Sequence, residues 1–233
     1  MKNVYSRSFE SAPPPRNINN CKAFTLAEVL ITLGIIGIVA AMTMPSLIAN
    51  YQKKATAGKV KKLYTNFNQA IKLAENEYGE FEYWEISSAE KLYEDYLKKH
   101  IKTIKTDTNI HISGSFTKGY SMIFPDSTQV ICSDKINGLD GKTSEQTIGC
   151  IFLTKIVSNK NNLFDYNNIK GTRNIFWFFI NNKTGLLEPP YLDKDYEYLK
   201  QRCYTKNLTG NSYYTCSTIL YKNNWEFPAD YPW

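Results

Sequence analysis

Histidine is nearly missing from this chain: only His100 and His111 occur in 233 residues, and neither lies near a pair of cysteines. With no C-x-x-C spacing anywhere, the nitrogen and sulfur ligand sets of structural zinc are not indicated. G-x-S-x-G and H-E-x-x-H are both absent, which removes the common signatures of serine and metallo-hydrolases, and no Cys-His pair makes a case for a thiol nucleophile. The nearest approach to a phosphate loop, Gly138-Leu139-Asp140-Gly141-Lys142-Thr143, has two residues between its glycines where four are needed, and reads as a turn. No enzyme is indicated and no catalytic residue is assigned. Positive charge is also modest. The net charge is +6, half of it in the first 23 residues, and the remainder is too small to argue for nucleic-acid binding.

Long apolar runs are scarce as well, with one exception. Phe24 to Ala49 reads FTLAEVLITLGIIGIVAAMTMPSLIA, apolar for the length of a membrane helix yet holding one carboxylate, Glu28. As a helix it would extend roughly 39 Å at ~1.5 Å per residue, enough to cross a hydrocarbon core of ~30 Å. A carboxylate in such a segment costs about 2.5 to 3.5 kcal/mol at mid-bilayer and less near the interface, so a cationic partner is expected. An ordinary secretory signal is disfavoured, because its small-residue cut follows the apolar region, whereas here Ala23 precedes it.

The segment Lys22-Ala23-Phe24-Thr25-Leu26-Ala27-Glu28 resembles the leader junction of the type IV pilin and type II secretion pseudopilin superfamily. In that family a small residue ends the leader, and Phe, Thr, Leu, a variable position and Glu follow. The resemblance implies a prepilin peptidase cut between Ala23 and Phe24, N-methylation of Phe24, and Glu28 as the charge that meets a neighbouring subunit's terminal amine. Pro45 matches a second family feature, a proline well inside the apolar helix. It leaves the Ala41 carbonyl without a partner and should kink or loosen the helix there. Ala23 stands where the family usually has Gly, and the leader is long for the family. Flanking charge alone would favour the opposite orientation, since Lys53, Lys54, Lys59, Lys61 and Lys62 follow the span. The resemblance implies a cytoplasmic leader and an exported head, and it is preferred. It also implies as partners the prepilin peptidase, copies of the chain or related pilins, and an inner-membrane assembly platform. A monomeric, membrane-anchored binding or adhesion domain is the alternative.

The rest of the chain suits one head domain, giving residues 1–23 as leader, 24–79 as a long helix and 80–233 as a globular head. The leader, with Pro13 to Pro15 and scattered Asn, has no apolar period and reads as disordered. Val60, Leu63, Tyr64, Phe67, Ile71, Ala74 and Tyr78 recur at three and four residues, an amphipathic continuation stopped by Gly79. Residues 80–86 read as a tether. Ser87 to Glu90 has capping-box spacing ahead of a short helix containing Leu92, Tyr93, Tyr96, Leu97 and Ile101. Beyond Thr103, strands are expected at 120–124, 128–132, 149–153 and 174–180, with turns at Asp126-Ser127 and at Lys183 to Gly185. Residues 195–203 read as helix, and 213–221 as helix or strand. The fold class is therefore α+β: a long N-terminal helix whose second half packs on an antiparallel sheet.

Cys21 falls in the leader, leaving Cys132, Cys150, Cys203 and Cys216, an even number that allows three pairings. Cys132 with Cys150 and Cys203 with Cys216 is preferred, because each pair flanks one local loop and the second resembles the C-terminal disulfide loop of pilins. Buried free thiols in a reducing compartment are the alternative. No cofactor is called. Asp165 and Asn167, in an Asn-rich loop similar to one in some pseudopilins, are calcium candidates, but Asn also stabilises turns unaided. Asn182 and Asn207 head glycosylation sequons. The aromatic C-terminus from Trp225 to Trp233 reads as an extended strap on the head, or alternatively as a partner-binding tail.

Overall fold

The computed structural model describes residues 24–112, 116–133, 136–137, 146–157, 163–164, 171–204, 214–231 and 233. Two compact units meet between Ser46 and Leu47, and they are described separately. Helix α1 (Leu26–Tyr78) contributes to both. In the first unit it carries the apolar run, whose large side chains from Leu26 to Met44 are all exposed.

In the second unit the face of α1 made by Ala57, Val60, Leu63, Phe67, Ala70, Ile71 and Ala74 is buried, matching the apolar period read from the sequence. Tyr78 lies at the rim of that face, 41% exposed, with its ring edge-on to Trp84 and Tyr96. Gly79 ends the helix with φ +87° while its N–H donates to the Glu75 carbonyl at 2.9 Å.

The main sheet is built from β1 (Lys105–Ile112), β2 (Phe116–Ile123), β3 (Gln129–Ser133), β6 (Gly149–Leu153), β8 (Ile175–Ile180) and β9 (Leu187–Glu188), antiparallel in that spatial order. β7 (Leu163–Phe164) adds a short parallel edge beside β1, and β4 (Ile136–Asn137) pairs with β5 (Gln146–Thr147) apart from the sheet. Alternation divides the sheet's side chains between two cores. Val130, Cys132, Cys150, Phe152, Phe176 and Phe178 join the α1 stripe. Ile131, Ile151, Leu153, Ile175 and Trp177 form a second core with Ile110 and Tyr214. β3 and β6 are therefore buried on both faces.

Three polar or aromatic contacts fix α1 on the sheet. The Asn68 side-chain oxygen accepts from the Leu187 N–H at 2.8 Å, and Lys59 donates to the Thr154 carbonyl at 3.1 Å. Tyr64 packs on Trp225 and Phe178, with ring centroids 4.9 and 5.5 Å away. Burial, aided by the nearby Tyr221, pushes the Tyr64 phenol up to about 12, so it stays a neutral hydroxyl.

A short helix α3 (Gly171–Asn174) precedes β8, and helices α4 (Tyr196–Tyr204) and α5 (Tyr214–Lys222) pair beyond the last strand. The segment left open between helix and strand is thus helical. Its residues Tyr214 to Leu220 are all buried, and a segment buried all round carries no period by which to choose.

Several local expectations need correction. The tether at 80–86 is packed rather than loose: a 3-10 turn at Phe81–Tyr83 buries Phe81 and brings Trp84 into the core. The helix cap falls one residue later than the capping-box spacing suggested, with the Ser88 hydroxyl accepting from the Lys91 N–H at 3.1 Å. The short helix α2 (Ala89–Lys91) then widens into a π-helical turn, Leu92–Leu97. Wider turns draw Leu92, Tyr93 and Leu97 onto one buried face. His100 is mostly enclosed, with 12% of its side chain exposed and Nε2 3.5 Å from a Glu77 oxygen. The C-terminal strap does pack on the head, with Phe227 beside Phe176, Tyr231 and Trp233.

Gly185 provides a test of this packing. Its φ is +67°, and a Cβ there would lie 2.3 Å from the Phe81 ring. Gly185→Ala is expected to destabilise the head by roughly 2 to 4 kcal/mol, combining left-handed strain with overpacking. Urea denaturation checks it; a change below ~0.5 kcal/mol would contradict the packing around Phe81.

Candidate functional site

Phe24 is 85% exposed at the start of the described chain. Ala23, on the other side of the expected cut, lies outside the described residues. Immediately after Phe24 the chain turns into helix, and the reason is local. Thr25 and Glu28 have the S/T-x-x-E spacing of a capping box. Glu28 Oε2 accepts from both the Thr25 N–H and the Thr25 hydroxyl, each at 2.9 Å, while the Glu28 N–H donates to Thr25 Oγ1 at 3.2 Å. The carboxylate thus answers an orphan donor of the helix start and sits where the helix dipole favours negative charge. Among the described residues no cation is paired with it. The charge of Glu28 points to a partner in another chain, while its spacing from Thr25 is the signal for this cap.

Pro45 lies inside α1, which continues through it. Proline supplies no N–H to the Ala41 carbonyl, so that acceptor has lost its usual donor. Thr43 donates its hydroxyl back to the Val39 carbonyl at 3.0 Å, as Thr32 does to Val29, which keeps both hydroxyls satisfied in an apolar setting. Among the described residues one helix, α1, is long and apolar enough to cross a membrane, and none of its apolar window is buried.

The structure joins Cys132 to Cys150 and Cys203 to Cys216. The first pair occupies directly opposed positions of β3 and β6, with Cα atoms 4.1 Å apart, inside the core shared with α1. The second ties α4 to α5 with Cα atoms 5.0 Å apart. These two links and the α1 stripe hold the head together, whereas the apolar run is presented unpacked.

Most of the remaining sequence candidates fall outside the described residues. Asp165 and Asn167, the calcium candidates, and the glycine-rich segment 138–143 lie outside the described residues, as does Asn207. Among the described residues no cluster of His, Cys, Asp and Glu side chains suited to a metal ion occurs. Glu94 is held below the usual carboxylate range by hydrogen bonds from Lys98 and then from Tyr120, while burial raises the Tyr120 phenol. This network braces the π-helical turn against β2.

Comparison with known families places both parts of the chain. The profile described as a family of unknown function, DUF6613, matches residues 46–233. The chain belongs to that family. The profile of the prokaryotic N-terminal methylation motif matches residues 18–44, so the leader junction of this DUF6613 protein is the prepilin motif of type IV pilins and pseudopilins. The two matches abut at Pro45, close to the division of the structure at Ser46 and Leu47. No curated protein and no solved structure matches the chain. Motif, exposed apolar helix and α+β head together make this a pilin-like DUF6613 protein, and its apolar helix fits membrane anchoring.

Proposed function

We propose that this protein is a structural subunit of a type IV pilus-like or type II secretion pseudopilus filament. Prepilin peptidase cuts after Ala23 and the new terminus at Phe24 is methylated. The mature chain waits in the bacterial inner membrane with its head exported, and the assembly platform then moves it into a filament with copies of itself or related pilins. The observation that carries this reading is that the methylation motif opens directly into a helix whose apolar half is wholly exposed, while the other half of the same helix is core. The exposed half is too apolar for water, and it requires a bilayer or a bundle of like helices around it. Two disulfides fit a head that matures in an oxidising compartment.

The test is fractionation of cells with and without their prepilin peptidase. The protein is expected in sheared, sedimentable fibres only when the peptidase is present. Its recovery solely as a membrane-bound monomer in peptidase-positive, fibre-producing cells would favour an anchored binding domain instead.

A further inference from the structure

We propose that a recess in the head, opening beside the first turns of α1 that follow its apolar run, binds the phosphodiester of an anionic membrane phospholipid. The recess encloses about 370 Å³ and is lined by Tyr51, Gln52, Lys59, Thr154, Arg173 and Trp233, among others. All of these lie in the second unit, 47–233.

Three features converge on an anion. Two lining side chains, Lys59 and Arg173, are cationic, and among the described residues no Asp or Glu lines the recess. Arg173 lies over the Trp233 ring, 5.3 Å from guanidinium carbon to ring centroid, which fixes the plane of its donors. Lys59 spends one donor on the Thr154 carbonyl at 3.1 Å and keeps two more. Finally, the Trp233 Nε1–H is buried with no hydrogen-bond partner among the described residues. A buried donor left unmade costs about 1 to 3 kcal/mol and is uncommon in folded proteins, so this one calls for an acceptor that arrives with a ligand. A phosphodiester would supply anionic oxygens to Lys59 and Arg173, and the Trp233 N–H is assigned as the third donor in this proposal.

The position along α1 chooses the lipid over a free anion. Tyr51 to Thr56 follow the last apolar residue, Ala49, by roughly 3 to 11 Å at ~1.5 Å per residue, which is headgroup depth if the run lies in hydrocarbon. Tyr51, 73% exposed, and Lys53 and Lys54 complete the aromatic and basic belt typical of that depth. This step rests on the membrane-anchored stage of the proposed function. A bound lipid would seat the head on the membrane until the helix is withdrawn into a filament.

Native mass spectrometry of the mature full chain in neutral detergent tests the site, with phosphatidylglycerol, phosphatidylcholine or glycerol 3-phosphate added. The wild-type chain is expected to retain one phosphatidylglycerol and to hold phosphatidylcholine about tenfold less, and Arg173→Gln and Trp233→Phe should each lose roughly threefold to tenfold. Both variants should keep their two disulfides, read in the same spectra, so a loss is not unfolding. Glycerol 3-phosphate binding as tightly as the lipid would make the site one for free anions and overturn the lipid assignment. Equal retention of the two lipids, which share the phosphodiester and differ in the choline cation, would overturn the assignment to an anionic lipid, and retention unchanged in both variants would overturn the site altogether. Alkaline extraction of cell membranes reads the anchoring separately: release of the wild-type chain would refute the anchor and leave the detergent result standing on its own.

Discussion

Glu28→Gln is expected to leave processing and membrane insertion intact while reducing entry into fibres by at least about tenfold. The substitution is informative because glutamine also serves in a capping box. The helix start that Glu28 builds with Thr25, through two bonds of 2.9 Å, is therefore retained, and only the charge is lost. In the proposed bundle the methylated amine of a neighbouring Phe24 would then be left unpaired among apolar side chains. Removing one member of a buried ion pair costs about 3 to 5 kcal/mol, which exceeds the ~1.4 kcal/mol that corresponds to tenfold. The intact pair has little net stability to offer, since desolvating both charges offsets most of their attraction. Its effect is on register: a subunit that docks one turn out of place leaves an amine and a carboxylate unmatched. Glu28→Ala would confound the two roles by removing cap and charge together. Quantitative immunoblots of sheared fibres and membranes check the result, and wild-type fibre levels for Glu28→Gln would remove Glu28 from assembly.

Reducing both disulfides is expected to destabilise the head by about 6 kcal/mol. In the chain-entropy model each loop contributes about 3 kcal/mol, and the observed loops span 18 and 13 residues. Domains of this size are stable by roughly 5 to 15 kcal/mol, so reduction brings the head close to unfolding at ambient temperature. The two links should not fail alike. Cys132 and Cys150 sit in the core between adjacent strands already held by ladder hydrogen bonds, whereas Cys203 and Cys216 tie two nine-residue helices whose connection is otherwise long. Urea melts in oxidised and reduced samples, with circular dichroism following the helix, give the comparison. The apolar half of α1 makes no disulfide and should keep its helical signal in detergent after reduction. A midpoint unchanged by reduction would contradict the stapling role.

Much of this architecture was legible because it rests on strong periodic signals. The buried face of α1 follows from spacing alone, since Val60, Leu63, Phe67, Ile71 and Ala74 recur with the helical repeat. Strands β3, β6 and β8 are runs of β-branched and aromatic residues between turn formers, and Ser127 at φ 62° and Gly185 at φ +67° occupy the turns expected of them. Strand β1 was missed. Lys105 to Ile112 reads KTDTNIHI, polar enough to pass for a loop, and it becomes a strand because β2 pairs with it along most of its length. Tertiary pairing overrode composition there. Residues 80–86 carry no apolar period and so read as a tether, yet Phe81 finds a place against Gly185, a contact 104 residues away that no local pattern encodes. In the functional segment, the order Phe24 to Glu28 was legible as a motif. The use of Glu28 by its own helix is carried by a different signal, its spacing of three from Thr25, and not by its charge. The recess under Trp233 could not be read at all, since Lys59, Arg173 and Trp233 are far apart in sequence and meet only through the fold.

The most direct test of the account is the intact mass of the protein purified from membranes of cells with an active prepilin peptidase. The expected chain begins at Phe24, heavier than the unmodified sequence from that residue by one CH2, since the methyl replaces a hydrogen, and four hydrogens lighter for its two disulfides. A mass that retains Met1, or one that places the N-terminus beyond Pro45, would contradict it.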